Sequence, residues 1–156
     1  MPDEKSGVWR AAPDDAQTLG RLLFDFNTEF EAATDPAPVL ARRFAAILER
    51  DDAYALIAGA AQGFAFVTLR PAVWFDGPVA QLEELYVVPA LRGTGLGTAL
   101  LAGAREIARE RGAPEMHINV DEVDRDTRRF YERHGFVNIE PGEDYRMLCY
   151  IGATSP

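Results

Sequence analysis

Apolar positions along this chain switch between a period near two and a period near four, and most switches coincide with a turn signal. "VWRAA" (8–12) reads as a short strand. "PDDAQTLGRLLFDFNTEF" follows as a helix, with Pro13 and two aspartates at its positive N-terminal end and Leu19, Leu22, Leu23 and Phe26 at helical spacing. The loop "EAATDPAP" stops it, and "VLARRFAAILER" forms a second short helix. Three strands come next, "AYALIAGA", "GFAFVTLRP" and "VAQLEELYVVP", separated by Gly, Gln and Pro. From Thr94 to Arg111, Leu96, Leu100, Leu101, Ala104, Ile107 and Ala108 make one apolar stripe, and Gly112 and Pro114 close that helix. "EMHINV" (115–120) is a strand, "RDTRRFYERH" a helix stopped by Gly135, and "FVNIE" and "DYRMLCYI" read as closing strands. The predicted order is β-α-α-β-β-β-α-β-α-β-β within one domain, residues 1–156, with no internal repeat or linker composition.

Composition supports a packed core: 156 residues, 47% of them hydrophobic, with nine Phe, five Tyr and two Trp. No apolar run approaches the roughly 20 residues that span a bilayer, and "MPDEKSGVWR" lacks the charged-then-apolar order of a signal peptide. The expectation is a soluble cytoplasmic protein without a membrane partner. A lone Cys149 offers neither an internal disulfide nor a metal cluster, and is expected as a small buried hydrophobe in the last strand. Twenty-five acidic against sixteen basic residues give a net charge of -9, which works against binding a phosphate backbone, so no nucleic-acid partner is expected.

The chemistry concentrates in "VVPALRGTGLGTALL" (87–101), where glycines stand at 93, 95 and 97 directly after a strand and at the start of a helix. A helix start so bare of side chains leaves backbone N–H groups pointing outward at the positive end of the dipole, which suits an anion. A P-loop would need Lys after Gly97, and a dinucleotide fingerprint would need Gly where Thr98 stands, so both fail.

What matches is R-x-x-G-x-G, here Arg92, Gly95 and Gly97, which resembles the acetyl-CoA pyrophosphate motif of the GNAT superfamily of N-acetyltransferases. A second block, "DRDTRRFYERHGF" (124–136), is similar to that family's N-x-x-A-x-x-F-Y-E-x-x-G-F, with Asp124 in place of Asn and Thr127 in place of Ala. The resemblance implies an α/β (α+β) fold with a mixed, mostly antiparallel sheet splayed between strands 4 and 5 and helices on both faces. It implies acetyl-CoA as co-substrate and no metal. The splay would take the pantetheine arm against the backbone of Leu85, Tyr86, Val87 and Val88, with the Val87 N–H directed at the thioester carbonyl. The pyrophosphate would lie on Arg92, Gly93, Thr94, Gly95, Leu96, Gly97 and Thr98. Asp124 and Arg129 of the second block would also belong to the cofactor.

Amine acetylation needs a base, because an ammonium with pKa near 10.4 is deprotonated in about one molecule in a few thousand at pH 7. Glu83 and Glu84 are the candidates; strict alternation would let only one face the cleft. Resemblance ranks Glu83 first, nine residues before Arg92, and makes Tyr131 the acid that protonates the departing thiolate. His117 is expected either in the cleft or buried in its strand, and Asn119 and Asp121 at that strand's exit. The acceptor is expected to be a primary amine of a cationic small molecule or peptide, drawn by Asp25, Glu29, Glu31 and Asp35. Trp74 and Phe75 are placed either in the wall of that pocket or between the protomers of a homodimer. The alternative is an acyl-CoA sensor without catalysis, which would not need Glu83 or Tyr131.

Overall fold

The computed structural model describes residues 7–155. Its sheet among those residues runs in chain order: β1 (Val8–Arg10), β2 (Ala53–Ala58), β3 (Gly63–Arg70), β4 (Val79–Val87) and β5 (Met116–Ile118). The first three junctions are antiparallel and the last is parallel. A 3₁₀ turn at Pro13–Asp15 leads into α1 (Ala16–Glu29), where the Asp15 carboxylate accepts the Ala12 N–H at 2.8 Å. α2 (Ala37–Leu48), α3 (Leu96–Glu110) and α4 (Arg125–Arg133) complete the helices. The chain forms two compact units, one ending at Ile118 and the other beginning at Asn119.

In the first unit, β2 is buried along its whole length, as its unbroken apolar run requires when both faces are covered. Ala53, Ala55 and Ile57 join Phe64 and Phe66 of β3 against Leu19 and Leu22 of α1 and Phe44 of α2. Phe44 meets Phe66 edge-on at 5.4 Å. The alternate residues face α3: Tyr54 is buried and its hydroxyl donates to the Ala104 carbonyl at 2.7 Å. Helices therefore cover both faces. α1 and α2 touch at Gly20, where a Cβ would come within 2.7 Å of the Ala41 nitrogen.

Parallel pairing of β4 with β5 is confined to Ala80, Leu82 and the residue between them, opposite Met116, His117 and Ile118. Among the described residues β4 has no strand partner on that side from Glu83 to Val87, so the expected splay between strands 4 and 5 is present.

In the second unit, Asp124 caps α4 by accepting the Thr127 N–H at 3.3 Å. Tyr131 is buried, with Phe130 and Phe136 edge-on at 5.1 and 5.5 Å. The two closing strands expected from "FVNIE" and "DYRMLCYI" do not form. The Met147 N–H bonds the Asn138 carbonyl at 2.7 Å, the Glu143 N–H closes a turn on Glu140, and no ladder follows. Tyr150 and Ile151 are exposed, and so is Cys149, contrary to its expected burial; a strand buries a thiol only once its face is packed.

Candidate active site

β4 carries an irregularity that the sequence does not announce. Its register against β3 shifts between Phe66 and Val67: Glu84 lies opposite Phe66, Leu82 opposite Val67, and Glu83 is the extra residue of a β-bulge. Phe66 and Thr68 share one face of β3, since that strand pairs with β2 without a break. The Thr68 hydroxyl donates to Glu83 Oε1 at 2.6 Å. Glu83 and Glu84 thus project from the same face, which corrects the expectation that alternation turns one of them away. Their environments differ. Glu83 is exposed and held by Thr68, whereas Glu84 is half-buried, and desolvation, reinforced by the neighbouring Glu83 charge, lifts its carboxyl from 4.5 to about 7.

The same register decides which backbone groups are open. The Val88 N–H is spent on the Gln62 carbonyl at 2.9 Å, and the Ala80 N–H on Glu115 at 3.2 Å towards β5. Alternation between these points turns the Tyr86 peptide towards β3 and the N–H groups of Leu85 and Val87 towards the splay. Of the four residues Leu85 to Val88, two therefore present an amide donor there.

After a 3₁₀ turn at Pro89–Leu91, Gly93 and Gly95 take φ values of +78° and +93°, which side-chain-bearing residues rarely adopt. Nothing lies within 4 Å of where a Cβ would stand at either glycine, so the concave side of the turn is open. Gly95 is the N-cap of α3 and no side chain caps the helix; the first helical bond runs from Ala99 N–H to the Gly95 carbonyl. The amides of Leu96 and Gly97 are left without helical partners at the positive end of the dipole. Thr94 braces the turn, its hydroxyl donating to Leu91 O at 2.5 Å. Such a cradle fits a diphosphate.

The Arg92 side chain is engaged by the scaffold. Its guanidinium forms a bidentate pair with Glu29, the last residue of α1, at 2.7 and 2.8 Å, and its Nε donates to the Val87 carbonyl at 3.0 Å. It also packs over the rings of Phe30 and Tyr86, each 5.7 Å away. The side chain ties α1 to the end of β4.

Asp124, Arg129 and Tyr131 belong to the second unit, where Asp124 serves as a helix cap and exposed Arg129 lies 3.5 Å from Asp126. Of the acids expected to attract a cation, Asp25 pairs with Arg21 at 3.7 Å, Asp35 with Arg43 at 2.7 Å, and Glu29 with Arg92. Trp74 is 88% exposed, and with Phe75 it flanks Gly112 and Pro114 beyond the C-terminal end of α3, the opposite end from the cradle. His117 bonds Arg70 and Glu115. Thr68 and Arg70 were missed in the sequence, although two polar residues at alternate positions of an apolar strand, "FVTLR", were a usable signal. Among the described residues no group of His, Cys, Asp and Glu is arranged to hold a metal, and no helix is long and apolar enough to cross a membrane.

A family model, the acetyltransferase (GNAT) family, matches residues 16–136. The crystal structure of a candidate acetyltransferase from Arthrobacter sp. FB24 is 47% identical and superposes with a TM-score of 0.88 over 94% of both chains. The chain is similar to an aminoalkylphosphonate N-acetyltransferase of Salmonella typhimurium, 40% identical over 58 residues, which is 37% of this chain and 38% of that protein. It is also similar to an aminoglycoside N(6')-acetyltransferase type 1 of Klebsiella aerogenes, 46% identical over 59 residues, 36% of this chain and 39% of the relative. These matched stretches span less than two fifths of either curated relative.

Proposed function

The chain belongs to the acetyltransferase (GNAT) family, and from that premise we propose that it transfers the acetyl group of acetyl-CoA to a primary amine by direct attack in a ternary complex, acting as one domain. The observation that carries the reading is the presence of two open β4 amides, at Leu85 and Val87, on the strand that leads into the bare N-terminus of α3 at Gly95. One set suits a thioester carbonyl and the other a diphosphate. The family uses acetyl-CoA as co-substrate, and the amides from Gly93 to Gly97 would hold its diphosphate while the Arg92 side chain serves the scaffold. The two curated relatives are named for amine acceptors, an aminoalkylphosphonate and an aminoglycoside, which supports an amine here.

Glu84 is the base. A carboxyl held near 7 is balanced between its two forms at neutral pH, the condition under which it removes a proton most effectively. The ammonium loses one proton to Glu84, the neutral nitrogen attacks the thioester carbon and forms the new C–N bond, the C–S bond breaks, and the second proton shed by the nitrogen balances the one the thiolate takes up. The Val87 N–H faces the oxygen on which charge develops, a role in which one donor is worth about 3 kcal/mol. Tyr131 is the proposed donor to the thiolate. Glu83, held by Thr68, adds the negative charge that keeps Glu84 basic and attracts the ammonium.

The test is thiol release with acetyl-CoA over a panel of amines, beside thermal shifts with acetyl-CoA, NAD and ATP. At about 100 times its dissociation constant a ligand adds ~2.7 kcal/mol. Stabilisation by acetyl-CoA alone, with amine-dependent thiol release, supports the reading; stabilisation without release under any amine refutes catalysis and leaves an acyl-CoA sensor.

A further inference from the structure

The sheet face that presents Glu83 and Glu84 carries a further polar group that the proposed transfer does not use. Thr68 and Arg70 alternate along β3 on that face, with Gln81 opposite Thr68 on β4 and His117 beside Gln81 on β5. The Arg70 guanidinium donates to His117 Nδ1 at 3.1 Å. A guanidinium has no acceptor, so Nδ1 is the unprotonated nitrogen and Nε2–H donates to Glu115 Oε1 at 2.8 Å. The imidazole is fixed at both nitrogens and holds Arg70 in place. Arg70 is exposed, and the described residues give it no carboxylate partner.

An arginine supported through a histidine rather than neutralised by an acid retains donors for an external oxyanion. Its distance from the two carboxylates is set by the strand: Arg70 lies two residues, about 7 Å, from Thr68, which bonds Glu83, and four residues, about 13 Å, from Phe66, which stands opposite Glu84. We infer that the amine acceptor is a zwitterion whose carboxylate or phosphonate is read by Arg70 while its nitrogen lies against Glu83 and Glu84. A polyamine is disfavoured twice over. Arg70 stands where a second ammonium would go, and Asp25 and Glu29 of α1 and Asp35 of the loop before α2 are already paired with arginines. This inference rests on the acetyl-transfer reading and names the class of acceptor for it.

The experiment compares kcat/KM by thiol release for γ-aminobutyrate, δ-aminovalerate and aminopropylphosphonate against butylamine, pentylamine and cadaverine. The expected result is a preference of about tenfold or more for at least one zwitterion over the matched monoamine and over cadaverine, the size expected of a charged hydrogen-bonding pair. In Arg70→Gln that preference falls to about one, chiefly through KM, and Arg70→Lys keeps part of it. Transfer to amines without that preference in the unmodified protein overturns the inference alone, as does a preference that survives Arg70→Gln. No thiol release with any amine, despite stabilisation by acetyl-CoA, overturns the acetyl-transfer reading and this inference together.

Discussion

Replacing Glu83 by Gln separates the two causes that raise the neighbouring carboxyl. Glu84 is lifted from 4.5 to about 7, with desolvation the larger cause and the Glu83 charge the smaller. Removing that charge must therefore take back less than half of the rise, so the Glu84 carboxyl in Glu83→Gln should titrate lower than in the unmodified protein yet stay well above its ordinary value. The assay is the pH dependence of kcat/KM for one acceptor in the unmodified protein, Glu83→Gln and Glu84→Gln. The ionisation of the amine is common to all three and drops out of the comparison. Activity should rise through pH 7 in the unmodified protein, the limb should move to lower pH in Glu83→Gln, and it should vanish in Glu84→Gln with turnover reduced about 10²- to 10⁴-fold. If Glu84→Gln keeps the limb and Glu83→Gln loses it, the base is Glu83 and the argument from burial is wrong.

The same raised carboxyl predicts stability. A carboxyl whose folded pKa exceeds its unfolded value favours the folded state below about 4.5, and that contribution is lost as pH rises through 7, so Glu84→Gln should melt higher than the unmodified protein at pH 8 and lose this advantage towards pH 4. Gly95→Ala places a Cβ at a φ of +93°; it should cost about 1–2 kcal/mol in denaturant unfolding and remove the thermal shift given by acetyl-CoA, and an intact shift would take the diphosphate away from that turn. Tyr54→Phe leaves the Ala104 carbonyl without its hydroxyl donor and should cost about 1 kcal/mol by urea unfolding, with acetyl-CoA affinity unchanged. Tyr131→Phe should lower turnover while acetyl-CoA still stabilises the protein; full turnover would exclude its phenol from the chemistry.

What could be read from the sequence was what is local in the chain. Gly93 and Gly95 need positive φ whatever surrounds them, and the stripe from Leu96 to Ala108 marks a buried helix face without reference to a partner. The splay was expected from the family resemblance and is present. The bulge could not be read, because it is a mismatch of count between β3 and β4 and exists only in their pairing. The alternation of "FVNIE" and "DYRMLCYI" has the converse fault: it states which face of a strand would be apolar and says nothing of the edge it would pair with. Among the described residues that hairpin shows the Met147 to Asn138 bond and the Glu143 to Glu140 turn bond, and no ladder.

Arg92 shows how a motif can fix a residue while leaving its role open. The spacing R-x-x-G-x-G puts an arginine beside an anion site, but Glu29 lies 63 residues away in sequence and takes both arms of the guanidinium. The Nε bond to Val87 O then fixes the carbonyl of the residue whose N–H faces the splay. A positively charged side chain that bound the diphosphate directly would slow release of the product coenzyme. Arg92, anchored to Glu29, ties down the end of the strand instead, and in the proposed reading the grip on the diphosphate is left to amides whose direction the glycines set. The proposed division of labour follows this geometry: backbone at Gly93 to Gly97 for the cofactor, side chains at Arg92 and Glu29 for the frame.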